Sequence, residues 1–159
     1  MADSKRQKLV DAIVARMQTI LTANGYETDL GTNVGDWRLN WQDDDLGSTG
    51  AISVCDLVAE AAPTAGRQNP QETIWLLPVQ IRFQFKRTDT IAELVRKGIR
   101  DINAAIRTDD RWTVSNVGLA MITRPLREGP IIPEESFEVV GGVVEFEIQY
   151  ITQKFNAET

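Results

Sequence analysis

Residues 75–86, WLLPVQIRFQFK, decide the fold of this chain. Large apolar side chains alternate here with polar ones, namely Gln80, Arg82, Gln84 and Lys86. A period of two over a dozen residues is typical of a β-strand with one buried face. The run is longer than an ordinary strand, so we expect it to project beyond its own domain. Pro78 has no backbone donor and predicts a sheet edge or a bulge at that point.

Two amphipathic helices flank this strand. The first is predicted within residues 4–24, with Gly25 placed to end it. Its apolar stripe consists of Leu9, Val10, Ile13, Val14, Met17, Ile20 and Leu21. The second is predicted from Thr90 to about Thr108, where Thr90 and Glu93 have the spacing of a capping box. Gly98 inside it could mark a close approach of the helix backbone to a neighbour, but a tolerated weak point of the helix is the preferred interpretation.

The other strands are shorter or less regular. Strands are predicted over residues 51–59, 112–123 and 139–152, with Gly141–Gly142 as a bend or bulge. Residues 29–50 form a long loop with a short strand near Trp37–Trp41, and residues 61–70 and 124–135 form loops rich in proline and glycine. The sequence therefore predicts one α+β domain: a mostly antiparallel sheet of four to five strands with two amphipathic helices packed on one face. The other face is polar, and we expect water or another subunit to cover it.

Composition excludes several function classes. The chain has 159 residues with 17 basic and 23 acidic side chains, a net charge of -6, and only a small basic cluster at residues 5–8. Nucleic-acid binders need a basic surface, so an electrostatic grip on DNA is not expected. There is no histidine, which removes the commonest general base and zinc ligand. The single Cys55, the polar N-terminus and the lack of an 18-residue apolar run predict a cytosolic protein with no membrane span.

Candidate catalytic and metal-binding groups do not form a recognisable site. Asp43, Asp44 and Asp45 carry oxygen ligands, but adjacent residues cannot all face one ion, and a solvated acidic loop is the better interpretation. The pairs Asp109–Asp110 and Glu134–Glu135 are interpreted as turn residues. The glycines of residues 46–50 lack the lysine of a phosphate-binding loop. We therefore predict no enzyme activity, no cofactor and no metal.

Trp37 and Trp41 are the strongest candidates for contact with a partner. Large aromatic residues in a polar loop often anchor a protein interface. They could equally fold back as a lid over the edge of the sheet. The sequence leaves both interpretations open.

The order of these elements resembles the tail-terminator family of long-tailed bacteriophages, whose members include the minor tail protein U. The resemblance covers most of the chain: the N-terminal helix with Gly25-Tyr26, the long strand 75–86, the capped helix 90–108, Asp109-Asp110-Arg111-Trp112, the acidic loop Glu134-Glu135-Ser136 and the last strand 143–152. It is a resemblance of pattern, without a diagnostic motif. The Trp-containing insert at residues 29–50 departs from the family's pattern.

The resemblance implies a structural virion protein located in the tail or neck and assembled in the host cytoplasm. It would form a homohexameric ring that ends polymerisation of the tail tube and presents a surface to the head-completion, or connector, protein. DNA would pass through the ring without sequence-specific binding. We expect Trp37, Trp41 and the acidic run to face partners. Arg82, Lys86, Glu145 and Glu147 are expected to form charge pairs, either between subunits or within one sheet.

The sequence leaves two alternative functions open. The chain could be a head-completion or neck-joining protein of the same composition, which the sequence barely distinguishes from a terminator. It could also be a small ligand-binding α+β domain with a pocket under residues 37–50. The second alternative lacks converging polar groups at a recognisable spacing.

Overall fold

The computed structural model describes residues 4–41, 43–63, 71–131 and 138–153. Its helices are α1 (Lys5–Met17), α2 (Asp43–Leu46) and α3 (Ile91–Arg107), with 3-10 turns at Thr22–Asn24 and Leu30–Thr32. Its strands are β1 (Val34–Asp36), β2 (Ala51–Asp56), β3 (Glu60–Ala61), β4 (Glu72–Lys86), β5 (Thr113–Val114), β6 (Val117–Gly118), β7 (Ile122–Ile131) and β8 (Val139–Gln153).

The main sheet has the strand order β1-β2-β4-β8-β7, and β3 pairs with β4 beside β2. The β1–β2 pair is parallel and the other pairs are antiparallel. Strands β5 and β6 form a separate two-stranded hairpin. The predicted α+β class is confirmed, with six strands in the main sheet rather than four or five.

The centre of the fold is the ladder between β4 and β8, two strands of 15 residues each. It runs without a register shift from Glu72 opposite Gln153 to Lys86 opposite Val139. The predicted alternation is confirmed, because alternate β4 residues from Leu77 to Phe85 are buried. α1 and α3 pack against this buried side, which we call the helix side.

Pro78 lies where the other edge of β4 changes its partner. Residues 79–84 of β4 pair with β2, and residues 75–76 pair with β3. Leu57 N donates to Pro78 O at 2.9 Å, so Pro78 faces the interval between these two strands. The missing proline donor therefore falls at a break in the ladder, as expected of proline in a sheet.

The C-terminal end of α1 and the N-terminal end of α3 differ from the prediction. α1 begins with Ser4 Oγ accepting from Gln7 N at 3.2 Å, but it ends at Met17. Gly25, with φ of 92°, ends the 3-10 turn that follows rather than the helix. Thr90 precedes α3 but its side chain makes no capping hydrogen bond, so the predicted capping box is wrong.

Three glycines allow close packing around Phe83. A Cβ at position 98 would lie 2.8 Å from Phe83 Cε2, and one at position 142 would lie 2.7 Å from Phe83 Cζ. A Cβ at position 141 would lie 1.8 Å from Phe83 O. Interpreting Gly98 as a tolerated weak point was therefore wrong. The β8 register is continuous through Gly141 and Gly142, and the bulge lies instead in β7, between Pro125 and Arg127.

The chain from residue 112 to 131 differs most from the prediction. The single strand expected at 112–123 is the β5–β6 hairpin, whose turn places Ser115 and Asn116 in left-handed conformation. Residues 124–131, predicted to be a loop, belong to β7. β7 accommodates Pro125 and Pro130 because it is an edge strand, where a missing donor leaves no partner unsatisfied. The rest of that predicted loop, including Glu134 and Glu135, lies outside the described residues.

Candidate interaction surface

The loop that follows β1 lies at the sheet edge, and we call its described residues, 37–41 and 43–45, the edge loop. The short strand predicted near Trp37–Trp41 is wrong, because the strand here is β1, which ends at Asp36. The last three residues of the edge loop belong to α2, which begins at Asp43. Since β1 is the outermost strand on this side, the edge loop marks one end of the sheet.

Trp41 lies against the sheet. Its Nε1 donates to Ser53 Oγ at 2.9 Å, and the Ser53 hydroxyl in turn donates to Arg38 O. The Arg38 guanidinium stacks on the Trp41 ring at 4.2 Å and forms an ion pair with Asp45. These contacts fix the loop on the face opposite to the helices, where Ser53 would otherwise be open. The geometry of Trp41 fits the lid interpretation.

Trp37 has the opposite character. Its side chain is 51% exposed, and its backbone has a φ of 56°, which is unusual for a residue other than glycine. Trp37 Nε1 donates to Asp56 Oδ1 at 2.9 Å, and Trp37 N donates to Val54 O. The indole is therefore held in a defined position while much of its surface faces outward. That geometry fits the anchor interpretation.

The acidic run is divided between two roles. Asp43 begins α2, and its side chain lies outside what is described. Asp44 is exposed, and Asp45 pairs with Arg38. Over residues 4–41, 43–63, 71–131 and 138–153, no group of three or more acidic or cysteine side chains could hold a metal ion.

Three carboxylates, from Asp11, Asp36 and Asp56, lie near the base of the edge loop. Burial raises the pKa of Asp36, and the charges of Asp56 and Asp11 raise it further. Burial also acts to raise the pKa of Asp56, but the hydrogen bonds from Trp37 and Arg6 outweigh it and hold that pKa below its usual value. Arg6 Nε contacts Asp56 Oδ2 at 2.6 Å. The surroundings thus favour the ionised form of Asp56, which accepts the Trp37 hydrogen bond, and disfavour the ionised form of Asp36.

The face opposite to the helices carries charged pairs across β7 and β8. Arg127 Nε contacts Glu145 Oε2 at 2.9 Å, and Arg124 pairs with Glu147. Gln80 Nε2 also donates to Glu145 at 3.2 Å. The glutamates predicted to form charge pairs do so within one sheet, with arginines that the sequence reasoning did not select.

Arg82 and Lys86 lie on the same face without these partners. Arg82 stands opposite Val143 on β8 and Ser53 on β2, and Lys86 stands opposite Val139. Within the described ranges, neither side chain forms an ion pair with a carboxylate. Glu147 and Glu145 thus pair with Arg124 and Arg127, and the predicted partners Arg82 and Lys86 have no carboxylate partner in the described ranges.

Two clefts lie between α3 and the neighbouring strands β7 and β8, at the edge of the sheet opposite to β1. One, of about 380 Å³, is lined by residues that include Asn103, Ile106, Leu126 and Phe146. The other, of about 330 Å³, is lined by Arg87, Ile91, Ala92, Val95, Arg96, Ile99, Pro130, Ile131 and Val140. Neither is lined by residues of the 37–50 loop, where a ligand pocket was considered.

A scan of this chain against protein-family models gives no match, and a search of curated proteins gives none. Among the helices of the described ranges, none combines the length and the apolar character that a membrane span requires. Function is therefore inferred from the residues and their geometry.

Two features of these surfaces differ from what the sequence pattern predicted. The arginines of β7 were assigned to a loop, and only their spacing of three, with the bulge between them, places both opposite the β8 glutamates. The clefts depend on where α3 crosses the sheet, which no local pattern gives. Pro130 and Ile131 are two of the residues that line the second cleft together with the apolar stripe of α3.

Proposed function

We propose that this chain is a structural virion subunit that closes the end of a phage tail tube as a homo-oligomeric ring and forms the surface on which the head is joined. The observation that carries the proposal is the one-sided sheet. α1 and α3 lie on one face, while the opposite face and both sheet edges bear exposed charged and apolar groups.

The long β4–β8 ladder supports this role. Each of its strands has 15 residues, well above the usual five to six. A rigid sheet of this length provides a stable surface for assembly, and assembly requires no catalytic group. The order of helix, long strand, helix and returning strands also follows the layout that the tail-terminator resemblance implies.

Charge is compatible with a channel for DNA. The net charge of -6 opposes non-specific adhesion to phosphates, so DNA would pass through the ring rather than bind to it. The unneutralised Arg82 and Lys86 would then face a protein, either the tube or the connector, rather than the channel.

The test combines mass and capping. Six copies of the 17.8 kDa chain give about 107 kDa, which light scattering behind a sizing column resolves from a monomer. Purified tail tube protein of the encoding phage should polymerise to long tubes alone and to shorter, capped tubes when the chain is added. Capping with a ring visible by electron microscopy supports the proposal.

The alternative neck-joining role predicts a different partner. In that case the chain would bind the purified connector and leave tube length unchanged. That result, or a chain that binds neither protein, would contradict a terminator. A panel of metabolites and divalent ions in a thermal-shift assay covers the ligand-binding alternative, because a true ligand raises the melting temperature by binding the folded state.

A further inference from the structure

The 330 Å³ cleft between α3 and β7 is an apolar groove with two basic residues in its lining. We call it the α3 groove. Its floor is formed by Val95, Ile99, Pro130 and Val140 among others, and its two charged lining residues are Arg87 and Arg96. In the part of the chain that is described, neither arginine forms an ion pair. Because this groove is apolar and its charged residues are basic, an acidic and apolar segment complements it, and the chain itself has a net charge of -6.

The edge loop of the same chain has that character. Trp37 is 51% exposed and Leu39 is 40% exposed, and Asp44 of the same loop is also exposed. Trp37 holds a left-handed backbone conformation that residues other than glycine rarely adopt. Strained exposed residues of this kind persist where the surroundings fix them, and they cluster at ligand-contacting sites.

We propose that the α3 groove of one copy receives the edge loop of a second copy. Trp37 and Leu39 enter the apolar groove, while Asp44 approaches Arg87 and Arg96. The contact uses a different surface on each partner, since the edge loop follows β1 at one edge of the sheet and the groove lies beside β7 at the other.

An interface between two different surfaces is head-to-tail. Every copy retains one free groove and one free edge loop until the chain of contacts closes, so the arrangement gives a ring or, if it does not close, a filament. The significance of this contact for tail assembly rests on the proposed function. The contact itself can be tested without a tube.

The test uses two variants that disable one surface each. Arg87→Glu/Arg96→Glu reverses the groove charges, and Trp37→Ala/Asp44→Lys removes the anchor and reverses the loop charge. The wild-type chain should show a mass that rises with concentration in sedimentation or light scattering. Each variant alone should associate at least tenfold more weakly, because a central tryptophan or arginine often carries much of the energy of an interface.

Mixing the two variants gives the decisive readout. Each retains the surface that the other has lost, so a 1:1 mixture should form a particle of twice 17.8 kDa and nothing larger. Lys8→Glu/Arg111→Glu, which reverses two exposed cations outside both surfaces, should associate like the wild type. Circular dichroism and urea midpoints of all variants establish that they fold.

Three results would overturn the inference. They are a wild-type chain that stays monomeric at its highest soluble concentration, folded variants that associate like the wild type, and a mixture that forms no heterodimer. A heterodimer without tube capping would retain the interface and reject the terminator function. Capping by chains with a disabled groove would retain the terminator function and reject the interface.

Discussion

Gly98 of α3 lies on the ring of Phe83 in β4. A Cβ at position 98 would stand 2.8 Å from Phe83 Cε2, and Leu30 Cδ1 would follow at 3.3 Å. The same ring contacts Gly142 of β8 from another side, since a Cβ there would lie 2.7 Å from Cζ. A single buried ring therefore sets the distance between α3 and the two central strands.

Gly98→Ala should destabilise the protein. Alanine is favoured over glycine in a helix by about 1 kcal/mol, but the overlap with Phe83 costs about 1–3 kcal/mol. We expect a net loss in urea unfolding. In a Phe83→Leu background, where the ring is gone, the same alanine should cost less or become stabilising. A more stable Gly98→Ala variant in the wild-type background would refute this packing.

The period-two pattern predicted β4 and β8 because each buries one face along most of its length. It failed for β7, where the bulge at Leu126 interrupts the alternation and most of the strand is exposed. An exposed edge strand has no buried face to leave a signal in the sequence. Trp112 was placed at the start of the strand predicted over residues 112–123, whereas it lies just before the β5–β6 hairpin, where it is fully buried and stacks on Phe146.

Asp101 is a buried carboxylate whose replacement should be costly. It is only 3% exposed, and it accepts from Glu27 N at 3.1 Å and from Thr28 N and Oγ1, both at 2.7 Å. These bonds tie the loop after α1 to α3. Asp101→Ala should lower the free energy of unfolding by about 1–3 kcal/mol, because it leaves a buried donor unsatisfied. Urea titration measures the loss, and the exposed Glu60→Gln in β3 is the control, expected within about 0.5 kcal/mol of the wild type.

Asp36→Asn should stabilise the protein at neutral pH. The pKa of Asp36 is raised above its ordinary 3.8, first by burial and then by Asp56 and Asp11, so its ionisation opposes folding. Below pH 3.8 the residue is protonated in both states and the variant should gain nothing. The gain should appear as the pH rises through the folded-state pKa, and it should stay at about 0.5 kcal/mol or less because Asp36 is exposed and solvent screens its interactions.

Asp56 reverses that sign. Its pKa is lowered, so its contribution to stability is complete above the ordinary value and is lost as pH falls through the folded-state pKa. Asp56→Asn should therefore lose stability at pH 7, and the loss should shrink in acid. Thermal melts of both variants from pH 3 to pH 7 measure the two trends. Parallel curves for the two would contradict the arrangement of Arg6, Trp37 and Asp56.

The sequence could select the edge loop but could not assign roles within it. Trp37 and Trp41 stand four residues apart in the same polar segment, and nothing local tells an anchor from a lid. The difference arises from β2, whose Ser53 accepts from Trp41 and whose Asp56 accepts from Trp37. Partners far along the chain made this part of the site unpredictable.

The two tryptophans should respond differently to truncation. Trp41 is only partly exposed, bonds to Ser53 and carries the Arg38 guanidinium, so Trp41→Ala should lower the free energy of unfolding by about 2–4 kcal/mol. Trp37→Ala loses one hydrogen bond and, because Trp37 is 51% exposed, less buried surface than Trp41→Ala, so it should cost only about 1–2 kcal/mol. Urea unfolding at a concentration low enough to keep the chain monomeric compares them.

The two deficits should also differ in their dependence on protein concentration. Because Trp37 would be stabilised by a partner and Trp41 is already held by its own sheet, raising the protein concentration should widen the deficit of Trp37→Ala and leave that of Trp41→Ala unchanged. Equal deficits at every concentration would remove the distinction between anchor and lid.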